Sequence, residues 1–279
     1  MIYRNESGLP ALEYYSLQQF GSIVYDLFEP NSIVQINTLN EEDFNEIPLF
    51  RQLRFLINHL LENKRVKLTK IGNMPTALVK NLYDLSAREE YVESGFVRLT
   101  NEKHSIYVQL VHVLAKIMGV IKEQKGVMTL TKKGEKLASD NQKLLELLLN
   151  TFALKFNMGY FDLYENEMFG GFGIGFSFVL LSKYGDEEHL SDFYADKYAV
   201  AFPDLTANFE LEPFAHGLND CKYSCYCFRV FTRFMKPLGL IHMKEKKNPN
   251  GFRSLYEITK TPLFDKVIKV ITPNELISH

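Results

Sequence analysis

The sequence predicts a mainly α-helical protein with small β-hairpins, arranged as tandem winged-helix-like units plus an acidic helical connector. Three observations carry this expectation. Apolar residues recur at helical spacing over long stretches, short β-prone runs follow several of those helices, and charge is segregated into blocks along the chain. Of the 279 residues 46% are hydrophobic, and 22 Phe and 15 Tyr supply bulky side chains for a core. That length suffices for one large or two to three small domains, and the composition argues against disorder over most of it.

The net charge of −2 points by itself to no polyanionic partner. Its distribution says more. Residues 1–50 carry −7, residues 51–80 carry +6, residues 103–136 carry +5, residues 140–212 carry −9 and residues 222–253 carry +7. Such segregation concerns fields and partners rather than fold.

Each basic block joins an apolar helical stretch to a turn-rich segment and then to a β-prone run. In the first, Leu49-Phe50, Leu53, Phe55-Leu56-Ile57 and Leu60-Leu61 recur near the helical period. Val66 to Lys70 then alternates like a half-buried strand, and Pro75 suits the first turn of a helix over Thr76 to Leu85. In the second, a helix over Ser105 to Met118 ends at Gly119, and Gln124-Lys125-Gly126 reads as a tight hairpin turn between two strands. Lys132-Lys133-Gly134 leads into a Leu-rich helix over Glu135 to Asn150. In the third, a helix through Tyr226 to Met235 precedes Leu238 to Met243, a basic loop including Asn248-Pro249-Asn250-Gly251, and a strand over Ser254 to Lys260.

A helix followed by a two-stranded wing is the ending of a winged-helix unit, and three approximate copies predict tandem units or a degenerate internal repeat. The expected division is an acidic N-terminal segment (1–47), a degenerate winged-helix-like unit (48–102), a winged-helix-like unit (103–150), the acidic connector (151–213) and a C-terminal winged-helix-like unit (214–279).

The runs Leu68-Thr69-Lys70-Ile71-Gly72-Asn73-Met74-Pro75 and Leu130-Thr131-Lys132-Lys133-Gly134 belong to these blocks. With Lys183-Tyr184-Gly185-Asp186, Phe193-Tyr194-Ala195-Asp196 and Ala201-Phe202-Pro203, they resemble an uncharacterised bacterial family of tandem winged-helix-like proteins. The resemblance covers most of residues 20–265. It implies a fold type and no chemistry, since winged-helix units serve nucleic-acid and protein contacts alike.

The leading candidate site is the third block. At helical pitch Arg229, Arg233 and Lys236 form one stripe opposite Phe228, Phe231 and Met235, and the following loop adds Lys244, Lys246, Lys247 and Arg253. In a winged helix the helix before the wing enters the major groove while the wing touches phosphates. The same residues fit a solvated face, or one docked on the chain's own acidic segments. In the second block the helix around Gln109, His112 and Lys116 offers few base-reading donors and reads as a packing element.

Other constellations carry less. His216, Cys221, Cys225 and Cys227 suggest zinc, but Cys227 lies about 200° around a helix from Cys225, so a buried structural role is favoured and no metal is expected. Gly170 to Gly175 lacks the Lys-Ser/Thr ending of a P-loop and the G-x-G-x-x-G spacing, and reads as a close backbone approach. Asp186, Glu187 and Glu188 fit an acidic first helical turn better than an acid/base cluster with His189, Asp192 and Asp196. His59, His104, His112 and His242 are isolated, without a partner constellation for nucleophilic catalysis.

The expected function is therefore non-enzymatic binding without cofactor, in which the basic C-terminal helix and wing contact nucleic acid. The alternative is a protein–protein interaction scaffold or homodimer that uses complementary acidic and basic segments. A polar N-terminus without an apolar run, a longest apolar stretch (Phe172 to Leu181) too short to span a bilayer, and only three cysteines predict a cytoplasmic protein without a membrane partner.

Overall fold

In the computed structural model, residues 8–160, 162, 164, 166–207, 218–248 and 253–277 are described. They form a mainly helical protein with three small antiparallel sheets. The chain divides into two compact units. A discontinuous unit takes the described residues of 1–37, 157–236 and 240–279, and an inserted unit takes 38–156 with 237–239. No helix among the described residues is long and apolar enough to cross a membrane.

The discontinuous unit opens with α1 (Leu17–Tyr25), started by a reciprocal cap in which Ser16 accepts from the Gln19 amide and Gln19 from the Ser16 amide. Strand β1 (Val34–Ile36) follows.

The inserted unit then runs α2 (Glu41–Glu46), α3 (Pro48–Asn63), β2 (Val66–Lys67), α4 (Thr76–Asp84), α5 (Glu90–Glu93), α6 (Ile106–Ile117), β3 (Ile121–Gln124), β4 (Val127–Leu130), α7 (Lys132–Leu137) and α8 (Asn141–Leu154). Pro48 opens α3, and Leu49, Phe50, Leu53, Leu56, Ile57 and Leu60 are buried along it, the spacing of one helical face. Each such side chain removed from water contributes roughly 1.5–3 kcal/mol. Ser105 caps α6 by accepting from the Val108 amide, and Lys125 and Gly126, at φ 52° and 73°, make the β3–β4 turn.

Thr131 caps α7 by accepting from the Gly134 amide. A Cβ on Gly134 would stand 2.2 Å from the Val120 carbonyl oxygen, so the Thr-Lys-Lys-Gly run is fixed by close packing. The single helix expected over Glu135 to Asn150 is two helices, because Asp140 breaks the run and caps α8 by accepting from the Lys143 amide.

Back in the discontinuous unit come α9 (Ile174–Tyr184), β5 (His189–Leu190), α10 (Ser191–Ala201), α11 (Pro203–Ala207) and α12 (Leu218–Tyr226). α12 continues as a π-helical stretch over Cys227–Met235. Then follow β6 (Ile241–Lys246), β7 (Leu255–Lys260), α13 (Pro262–Val267), β8 (Ile268–Val270) and α14 (Pro273–Ile277). β1 pairs with β8. A Cβ on Gly175 would stand 2.3 Å from the Ile23 carbonyl oxygen, so α9 lies directly against α1.

The two other sheets share one plan. In the inserted unit the run of elements around the sheet is α3–β2–α4–α5–α6–β3–β4 and the strand order is β2-β4-β3. In the discontinuous unit it is α9–β5–α10–α11–α12–β6–β7, with strand order β5-β7-β6. The lone strand of each set thus pairs with the second strand of the later hairpin. Residues 48–102 and 103–150 accordingly share one sheet and one unit, and α9, β5 and α10 of the expected connector share theirs with β6 and β7. The expected boundary between 213 and 214 lies outside the described residues.

A buried polar clamp ties the inserted unit together. His112, on α6, bonds Glu102 through Nδ1 at 2.9 Å and Glu123, on β3, through Nε2 at 2.5 Å. Lys116 also binds Glu123, at 2.7 Å, while the second Glu102 oxygen accepts from the Met74 amide. Burial alone would lower the His112 pKa, but the two carboxylates outweigh it and hold it above its ordinary value. With the folded value raised, this contribution to stability is complete below the unfolded pKa of about 6.5 and is lost as pH rises through the folded value. In urea titrations of the native chain and His112→Gln, the native midpoint is expected to fall more steeply as pH rises through that window. Parallel slopes would show that the clamp carries no proton.

Candidate nucleic-acid interface

Arg229 and Arg233 are both 0% exposed. Asp162, itself buried at its side chain, receives Arg229 in a two-point pair, Nε to Oδ2 and Nη2 to Oδ1, each at 2.8 Å. Arg229 Nη1 donates to the carbonyls of Asn166 and Phe169 at 2.6 and 2.8 Å. Arg233 Nη1 reaches Asp162 Oδ2 at 3.2 Å and the Met158 carbonyl, and its guanidinium lies 4.4 Å from the Phe228 ring centroid. Burial pushes the Arg233 pKa down to about 10, whereas at Arg229 the pair with Asp162 outweighs burial and holds the pKa up.

The expected Arg229/Arg233/Lys236 stripe is thereby corrected, since neither guanidinium reaches water. The reason lies in the helix. Over Cys227–Met235 seven of nine residues are buried, leaving Phe228 and Thr232 toward the outside with half-buried Lys236. The i→i+5 bonding of a π-helix and burial on nearly every side defeat a face assignment made at α-helical pitch.

The residues of the expected wing divide. Arg253 forms a two-point pair with Asp192, with Nη1 2.9 Å from Oδ1, and Lys246 pairs with Glu257. Lys244 and Lys247 are exposed and form no ion pair with a described residue. Pro249, Asn250 and Gly251 lie outside the described residues.

A second group of cations gathers on the inserted unit. Val66 pairs with Met128, which pairs with Glu123, and Lys67 pairs with Val127, which pairs with Gln124. Val66, Met128, Ile121 and Leu130 are buried, so alternation turns Lys67, Lys122, Gln124 and Thr129 to the opposite face. Lys125 stands at the turn of the same hairpin, and Lys64 and Arg65 immediately precede β2. Lys64, Arg65, Lys67, Lys122 and Lys125 are all exposed, and none forms an ion pair with a described residue. Glu123, the acid of that hairpin, is turned inward to His112 and Lys116. Charge counting marks both stretches as basic, but only the β2–β4 register brings them onto one face.

The helix before this hairpin offers little to a base edge. Along α6 Tyr107, Val108, Leu110, Val111, His112, Leu114 and Ala115 are buried, and exposed Lys116 is held by Glu123.

The other candidates resolve into packing. Burial pushes the Cys225 and Cys227 thiols up to about 12, and Cys225 donates to the Phe169 carbonyl, while His216 lies outside the described residues. Asp192 is held by Arg253, Asp196 takes Lys222 and the Tyr223 hydroxyl, and His189 stacks on Phe193 at 4.3 Å, so the three do not converge. Gly173 has φ 65°, and a Cβ there would stand 2.3 Å from the Phe202 ring.

Asp162→Asn removes the anion shared by two buried guanidinium groups, and breaking a buried pair costs about 3–5 kcal/mol. The expected result is a large drop in the urea midpoint. A shift no larger than that of an exposed acid such as Glu188→Gln would show that the two arginines are solvated instead.

Residues 45–143 match the family model of the Y4jL N-terminal domain, an uncharacterised family, and the match spans α3 to the start of α8 with the whole β2-β4-β3 sheet. No curated protein and no solved structure matches the chain.

Proposed function

We propose that the chain is a non-enzymatic nucleic-acid-binding protein whose inserted unit is a winged-helix-like module gripping the phosphate backbone. In each unit a helix, a lone strand, two longer helices with a short one between them and a hairpin follow in turn, and the lone strand lies beside the last strand; this supports a winged-helix-like assignment for both units, with β3–β4 and β6–β7 as the wings. The observation that carries the reading is the set of five exposed cations on and beside one sheet face, Lys64, Arg65, Lys67, Lys122 and Lys125, left without a carboxylate among the described residues. Lys244 and Lys247 offer a second wing contact of the same kind, whereas Arg229 and Arg233 serve the interior.

With α6 largely buried, affinity rests on phosphates rather than base edges, and binding is sequence-tolerant and steeply salt-dependent. Five neutralised phosphates correspond to a slope of about −4.5 in log affinity against log salt on duplex DNA. Fluorescence anisotropy on a labelled duplex is expected to give a slope of that order. The triple variant Lys67→Glu, Lys122→Glu, Lys125→Glu flattens it by about 2.7 while unrelated duplexes bind alike. No binding to duplex or single-stranded nucleic acid at low salt rejects the reading.

A second reading, a protein-interaction scaffold or homodimer, is favoured by two apolar side chains on the inserted unit, Ile71 at 76% and Phe96 at 87% exposure. Its mark is a dimer in sedimentation equilibrium that Ile71→Ser with Phe96→Ser dissociates without changing nucleic-acid affinity. A monomer at all concentrations removes the homodimer.

A further inference from the structure

A cavity of about 290 Å³ lies within the discontinuous unit, with Glu13, Tyr14, Val179, Ser182, Lys183 and Val270 in its wall. It stands at the small end of ligand pockets, which combine apolar walls with few convergent polar groups. Glu13 is buried, and its carboxylate accepts from Lys183 Nζ at 2.7 Å, Lys197 Nζ at 2.8 Å and the Tyr184 hydroxyl at 2.6 Å. Two ammonium groups on one carboxylate leave the cluster with one positive charge in excess. The neighbouring Glu275 keeps its negative charge while Oε2 accepts from the Thr272 amide and hydroxyl, at 2.6 and 2.7 Å, and its field acts on the Tyr15 hydroxyl.

Lys183 is the cation placed to meet a ligand. Its ammonium is on the cavity wall, 41% exposed at the side chain, and sits 5.1 Å from the Tyr14 ring centroid. Glu13 takes one of its three protons and Tyr184 a second, so one is left for donation to a second anionic oxygen. The backbone under this corner is strained. Glu13 and Tyr14 are consecutive non-glycine residues at φ 55° and 72°, a conformation that persists where its surroundings over-determine it and that clusters at ligand clamps.

We propose that this cavity binds a small organic monocarboxylate, its oxygen on Lys183 and its apolar chain against Val179, Val270 and the Tyr14 ring. A single spare cation with one lysine facing the space suits a singly charged group. A phosphate calls for more donors than this wall provides.

The test uses the full-length chain with hexanoate, hexan-1-ol and hexylammonium as probes, followed by saturation-transfer NMR titration. Hexanoate is expected to saturate at millimolar concentration or below, about tenfold tighter than hexan-1-ol, with no saturable signal from hexylammonium. Lys183→Met brings hexanoate to the affinity of hexan-1-ol. Ser182→Trp, a change at a half-buried wall position, abolishes binding of both with the melting temperature retained. Should Lys183→Met fail to fold, the probe series on the native chain and Ser182→Trp still decide. Hexanoate binding no tighter than hexan-1-ol, or surviving Ser182→Trp, overturns the proposal.

Discussion

Two residue pairs, Val66 with Met128 and Lys67 with Val127, set the surface of the inserted unit. They join a segment just after α3 to a hairpin some sixty residues later, and they fix which side chains face inward. The register is pinned by the core, because Val66, Ile121, Met128 and Leu130 all lie on the buried side. A slip of β2 by one residue against β4 would bury Lys67 and expose Val66, and the same slip of β3 against β4 would bury Lys122 and expose Ile121, so each register is held by the transfer it protects. The cationic face is therefore a consequence of hydrophobic burial on the other side of a small sheet, and not of any attraction among the cations.

Around its own three-stranded sheet the discontinuous unit repeats this succession of helices and strands and spends its charge differently. Arg229 has both oxygens of Asp162 and two backbone carbonyls as acceptors, which is what a guanidinium requires when it leaves water. Arg253 and Lys246 are likewise occupied by Asp192 and Glu257. One layout thus supports two electrostatic outcomes, and the difference lies in where acids fall relative to each sheet. In the inserted unit Glu123 points inward to a histidine and a lysine, which leaves the outward lysines unpaired.

Local signals in the sequence were readable where the cause is local. Ser105, Thr131, the α4 start beside Pro75 and the Lys125-Gly126 turn all sit where capping and turn chemistry place them. What depends on distant partners was not readable. β5 is two residues long, too short to show a period, and β2, although alternation from Val66 marks it as a strand, carries no sign of its partner; both join segments that look separate along the chain. The π-helical stretch hides its faces from a rule built on 3.6 residues per turn. Asp162, the partner of both buried arginines, lies 67 and 71 residues from them, and Glu13 lies 170 residues from Lys183. Neither relation leaves a mark in composition or spacing. The charge blocks mark which stretches of chain are basic, while the choice between exposed and buried cations belonged to the fold.

The central claim, that the outer face of the β2-β4-β3 sheet is the free cationic surface and meets phosphate, is open to direct observation. Lysine side-chain ammonium resonances of the full chain can be followed by NMR while a short duplex is added at low salt. The account predicts that Lys64, Lys67, Lys122 and Lys125 shift together, while Lys116 and Lys246, held by Glu123 and Glu257, stay in place. Shifts confined to the carboxylate-bound lysines, with Lys64, Lys67, Lys122 and Lys125 unmoved at saturation, would contradict it.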